Sequence, residues 1–218
     1  MADKLQELRK EIDRLDDEIL SALRSRWRLS GEIIAAKNGQ TAFRPGREAD
    51  VIRRLVSAAP DMKPATILGI WRQIFSASIA QQDSDIEISV HKDVLAAAVW
   101  HFGSSMQLSA YDDIGQTIMA LDTGARYAMV PCDLGNDIAS ALCRQDGRFI
   151  VGKTPLYNVT GVSAAYIIGD HISDNSTHDE MLFAVDGPNG VTLEVRDYDP
   201  DAKRMSADGV KLIGITAR

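Results

Sequence analysis

Leu8, Ile12, Leu15, Ile19, Ala22, Leu29 and Ile33 recur at a strict four-three spacing, the pattern of a helical seam that wants to be buried. The pattern predicts one helix from about Asp3 to Lys37, closed by Asn38-Gly39, a normal C-terminal stop. Such a helix is roughly 50 Å long at 1.5 Å per residue. Two shorter helices should follow, one from Arg44-Pro45-Gly46 to about Ala59 and one from Pro64 to Gln82, because proline favours the first helical turn. They are too short to cover the long seam, so an intertwined helical homodimer is expected. The seam position between Ala22 and Leu29 is Arg26, and burying an unpaired guanidinium costs several kcal/mol.

Charge divides the chain. Residues 1–82 hold 14 Lys and Arg against 11 Asp and Glu, whereas residues 83–218 hold 10 against 20, with all four His and both Cys. A helical domain at 1–83 and a second domain at 84–218 follow. The net charge of −7 argues against a nucleic-acid or anionic-membrane partner. The charged N-terminus does not read as a targeting signal, and no apolar run is of membrane-spanning length. Two cysteines outside any CxxC pair fit a reducing, cytoplasmic setting.

Arg26 has polar company on the faces expected to be apolar. Lys37 lies eleven residues on, about 20° round the same helix. Glu48 precedes Ile52, Leu55 and Ala59 on the second helix, and Ser78 and Gln82 extend the stripe of Ile67, Trp71 and Ile74 on the third. Taken singly, each fits an internal network such as an Arg26–Glu48 ion pair. Together they offer two cations, one anion and two neutral hydrogen-bonding groups, a set that suits a buried anionic small molecule.

LRKEIDRLDDEIL, SALRSRWRLSGEIIAAK, FRPGREADVIRRL and IWRQIFSASIAQQ together resemble an all-helical (type II) chorismate mutase over about residues 5–82. Arg9, Arg26, Lys37, Arg47-Glu48, Ser78 and Gln82 match that family in type and spacing. The resemblance implies an isomerase that converts chorismate to prephenate without cofactor or metal. Such a site holds a compact reactive conformer and stabilises negative charge on the breaking ether oxygen. By similarity, Arg26 would clamp a carboxylate, and Lys37 would reach a carboxylate and the ether oxygen. Gln82 would donate to that oxygen, Glu48 would accept from the ring hydroxyl, and Ser78 would assist at a carboxylate. Arg9 lies about 25 Å along the helix from Arg26 and some 100° round it, and in the family the corresponding arginine enters the partner subunit's site. Arg47 is counted with the binding residues. Where several family members carry an acidic residue, this chain has Arg44, counted as a binding position: contact through its backbone N–H would preserve function, whereas a side-chain role would change affinity or pH dependence.

From Ile86 the pattern changes to alternating strands and helices: IEISVH, MQLSAY, ARYAMVP and RFIVG are strands with helices between them, an α/β layer. Further strands are expected at AAYIIGD, EMLFAVDG, VTLEVRDY and VKLIGITAR, with DGPNG as a turn. The overall class is therefore α plus α/β. DIGQTIMALDTGARYAMVP resembles one lobe of a prephenate dehydratase domain. That family's Thr-Arg-Phe/Asp motif is absent, and Cys132-Asp133-Leu134-Gly135 stands where its polar run belongs. The resemblance implies a regulatory or vestigial domain, with a small-molecule effector as a candidate ligand. Three other readings are a same-fold isochorismate pyruvate lyase, against which the set of Lys37, Glu48 and Gln82 speaks, a bifunctional mutase–dehydratase, and a non-catalytic helical dimeriser carrying a sensor domain. Cys132 reads as a buried or loop thiol, and HISDNSTHDE as a polar loop without a metal-binding motif.

Overall fold

An apolar stripe at helical spacing needs a complementary surface, and two of the three N-terminal helices find theirs within the unit that holds the sheet. The computed structural model describes residues 2–36, 43–82, 85–103, 106–201 and 209–218. It divides into two compact units, Met1–Ala42 and Phe43–Arg218. In the first, α1 (Ala2–Ala36) realises the predicted long helix. The predicted end at Lys37 and the Asn38-Gly39 stop lie outside the described residues. Leu8, Ile12, Leu15, Ile19, Leu29 and Ile33 are between 44% and 58% exposed, so the seam is uncovered in the single chain.

The second unit opens with α2 (Pro45–Ala58) and α3 (Pro64–Gln82), each starting on proline. Next come β1 (Glu87–His91), α4 (Leu95–Phe102), β2 (Gln107–Tyr111), α5 (Ile114–Met119), β3 (Tyr127–Pro131) and α6 (Gly135–Cys143). β4 (Phe149–Thr154), β5 (Ala165–Gly169), β6 (Asp179–Gly187), β7 (Gly190–Asp197) and β8 (Val210–Ala217) complete the order. These strands make one mixed sheet, ordered β2-β1-β3-β5-β4-β8-β6-β7. The predicted strand and helix order holds. β4 is not the neighbour of β3, however, because antiparallel β5 stands between them. The run AYIIG is buried at every position of β5, which suits a strand covered on both faces.

Alternation sorts the sheet residues between two covers. Ala128, Val130, Ile150 and Ile168 join Ile118, Ile138 and Leu142 of α5 and α6 in the main core. Tyr127, of the opposite parity, meets Phe43 with ring centroids 5.1 Å apart. The α2–α3 pair packs here too: Ile52, Leu68 and Phe75 share a cluster with Trp71, Trp100, Leu156 and Tyr157. Two α3 side chains donate to carbonyls near the end of α4, Gln73 to Trp100 O at 3.3 Å and Ser76 to Phe102 O, satisfying groups that a helix end leaves open.

The loop before β6 straps α2 down. Arg44 pairs with Asp174, and Thr177 donates to Asp50 from both N and Oγ1 at 2.9 and 2.8 Å. Arg53 donates to His178 O at 3.0 Å. A Cβ on Gly46 would collide with the Asp174 carbonyl, so α2 approaches that loop as closely as a glycine allows. Hence α2 and α3 share a unit with the sheet. The division expected at 83–84 from the charge shift is a different boundary from that between the compact units, which falls at Ala42/Phe43, and Asp83 lies outside the described residues.

The contact of β4 with β8 is equally tight. A Cβ on Gly214 would sit 2.5 Å from Ile150 O and 2.6 Å from Ile150 Cβ. Gly214→Ala should destabilise the chain by about 2 kcal/mol or more, as overpacking does. Urea unfolding of the two proteins checks this, and equal midpoints would contradict it.

Candidate active site

Glu48 stands in the first turn of α2, where a carboxylate is favoured by the helix dipole, and it is buried at 8% exposure. Arg72, 6% exposed, explains the burial. It follows Leu68 by one turn and precedes Phe75 and Ile79 on the buried side of α3. Its Nη2 donates to Glu48 Oε2 at 2.6 Å, and its guanidinium carbon lies 4.9 Å from the Phe75 ring centroid. Removing one partner of such a buried pair costs about 3–5 kcal/mol.

The guanidinium has a second neighbour. Arg72 Nη1 lies 3.2 Å from His101 Nε2, and His101 Nδ1 lies 2.7 Å from Thr154 Oγ1. Arginine only donates, so His101 accepts at Nε2 and carries its proton on Nδ1, which donates to Thr154. Phe43 and Phe102 meet the imidazole edge-on, at centroid distances of 5.9 and 4.6 Å. Burial first, and the Arg72 charge second, hold the His101 pKa well below its ordinary value, so the ring is neutral. A cavity of about 30 Å³ adjoins Glu48, Arg72, His101 and Thr154, room for about one water. Arg72 Nε is buried and has no partner among the described residues.

The predicted site residues fall on both units. On α1, Arg9 is exposed and Arg26 partly buried, and Lys37 lies outside the described residues. On α2, Arg44 turns to Asp174, Arg47 is exposed, and Glu48 meets Arg72. On α3, Ser78 Oγ donates to Ile74 O at 2.9 Å, and Gln82 Nε2 donates to Ser78 O at 3.2 Å. The structure thus places Ser78 and Gln82 one turn apart. It gives Glu48 partners, Arg72 and beyond it His101, that the sequence reading did not name. The available signal was the i, i+4 step from Leu68 to Arg72. The predicted stripe through Trp71 and Ile74 runs one residue round the helix from it.

Reactive groups elsewhere serve the fold. Burial foremost pushes the Cys132 thiol up to about 12, so it is not a nucleophile at neutral pH. In the HISDNSTHDE loop, Asp179 accepts from Ser176 N and Oγ at 2.8 and 2.6 Å, and Glu180 pairs with Lys153 at 3.1 Å. Among the described residues no three His, Cys, Asp or Glu side chains converge on a metal position.

His101 makes folding sensitive to acid. Its native pKa is depressed from 6.5, so below that pH the unfolded chain binds a proton that the native chain refuses. Its contribution is fully present above about pH 6.5 and is lost as the pH falls from there toward the native pKa. A single proton limits the slope to about 1.4 kcal/mol per pH unit. His101→Gln should flatten stability between pH 6.5 and 5. Unfolding free energies measured across that range test it, and an unchanged slope would contradict the assignment.

Residues 8–83, about a third of the chain, match the family model for chorismate mutase type II. No curated protein and no solved structure matches the chain. The matched segment contains Arg9, Arg26, Lys37, Arg44, Arg47, Glu48, Ser78 and Gln82, so residues 8–83 are a chorismate mutase type II domain, followed by an eight-stranded mixed α/β sheet.

Proposed function

We propose that the chain is a working chorismate mutase, an isomerase that rearranges chorismate to prephenate on the route to phenylalanine and tyrosine. The observation that carries this reading is the family match across residues 8–83, which holds the whole predicted charge set. The rearrangement is intramolecular, so the enzyme needs no nucleophile and no proton carrier. It needs cations for two carboxylates, an acceptor for a hydroxyl, and donors at an ether oxygen that gains charge. Arg26 and Lys37 supply the cations, Glu48 is the acceptor, and Lys37 and Gln82 are the donors. Ser78, Arg44 and Arg47 complete the binding set. The amide of Gln82 donates without needing protonation, so activity stays flat across neutral pH.

The exposed seam of α1 supports a homodimer in which the partner subunit contributes its Arg9. In the single chain six seam residues are at least 44% exposed, a stripe too apolar and too regular to face water. The cytoplasm remains the proposed setting, and no helix among the described residues is long and apolar enough to cross a membrane. Residues 84–218 are proposed as the dehydratase-like, regulatory part. A crevice of about 360 Å³ lined by His91, Asp112, Asp113 and Asp137 lies beyond the C-terminal ends of parallel β1 and β2, where open α/β sheets take ligands. It is the place for an effector.

One observation favours the competing reading, a non-catalytic dimeriser with a sensor domain: Glu48 is already matched by Arg72. Turnover decides between them. The intact chain should consume chorismate and release prephenate. Lys37→Ala and Gln82→Ala should each lose about 3 kcal/mol or more of transition-state stabilisation, as for loss of an oxyanion donor. Near-normal turnover in either variant sinks the assignment of roles, and an inactive parent chain sinks the enzyme. In sedimentation, the parent should run as a dimer and Ile19→Glu as a monomer, since the charge would enter the paired seams. A monomeric parent would remove the dimer.

A further inference from the structure

Glu48 is useful to a substrate hydroxyl only if its carboxylate is aimed, and a glutamate has three rotatable side-chain bonds to fix. The aim comes from outside the helical domain. Arg72 holds Oε2 at 2.6 Å. The guanidinium, already against the Phe75 ring, is held on its other side by His101 Nε2 at 3.2 Å. His101 belongs to α4, and its ring is oriented by the 2.7 Å bond to Thr154 Oγ1 and by the edges of Phe43 and Phe102. Thr154, 2% exposed, ends β4, where its register against Ala165 of β5 is set by the sheet. A continuous chain of hydrogen bonds therefore runs from the sheet to the carboxylate, with each member buried.

We infer that Arg72, His101 and Thr154 are positioning residues for Glu48, so that the α/β sheet beyond residue 84 sets the geometry of the mutase carboxylate. This rests on the proposed mutase reading. It gives the C-terminal part a role in turnover that does not require an effector. It also explains why a histidine is kept neutral against a guanidinium: only the neutral ring offers Arg72 an acceptor.

The test uses the full-length chain. Arg72→Gln should lower kcat/KM about tenfold or more, yet by less than about twofold when Glu48 is already Gln, because residues acting through one another are not additive. Arg72→Gln removes one partner of a buried ion pair and can unfold the chain, so a second pair of variants is read beside it. Thr154→Val keeps the shape and removes the hydroxyl, whereas Thr154→Ser keeps the hydroxyl and removes the methyl. A positioning role predicts that Thr154→Val loses turnover several-fold and that Thr154→Ser restores it. A packing role predicts the reverse order. Equal losses for Arg72→Gln in both backgrounds, or Thr154→Ser as poor as Thr154→Val, overturns the inference while leaving the mutase reading intact. An inactive parent chain overturns both.

Discussion

A guanidinium buried between a carboxylate and a neutral imidazole ties the helices to the sheet. Arg72 is charged under all ordinary conditions, and at 6% exposure it is tolerable in the core only because Glu48 neutralises it and His101 accepts from it. Without Arg72 the buried carboxylate loses its 2.6 Å ion pair, and without His101 one guanidinium nitrogen loses this acceptor. Ile52, Leu68 and Phe75 of the neighbouring apolar cluster adjoin this polar chain. Burial drives the packing of α2 against α3, the ion pair links those two helices, and His101 carries the polar chain on to Thr154 of the sheet.

The chain therefore has two kinds of boundary. By ancestry the mutase domain is residues 8–83. By packing, α1 is one unit, and α2 and α3 belong with the sheet. The proposed chemistry divides along the same line. The cations Arg9, Arg26 and Lys37 come from the N-terminal segment, and the acceptor Glu48 with the donors Ser78 and Gln82 comes from the helices that share the sheet's core. The proposed reaction would need only that such charges be held still.

The regular elements were legible because their signals are local. Proline set the starts of α2 and α3, the four-three spacing set α1, and alternation set the strands, with DGPNG closing the β6–β7 hairpin. The candidate site residues Arg26, Lys37, Glu48, Ser78 and Gln82 were picked out because they interrupt apolar stripes at readable spacings, and of these the structure gives Glu48 a buried ion pair. The face of α3 was less legible. That helix is apolar on several sides, so its periodicity admits two buried stripes, and the stripe carrying Arg72 is the one that meets α4.

The sequence by itself determined which residues are helical or extended, where the ionisable groups interrupt the apolar faces, and that the first helix carries a seam its own chain leaves exposed. Periodicity and capping act over a few residues, so one chain suffices to read them. Only the tertiary structure decided that β5 enters between β3 and β4, and that Glu48 answers to Arg72, His101 and Thr154. Those contacts join residues 24, 29 and 53 positions apart, and their geometry is set by how helices and sheet share one core.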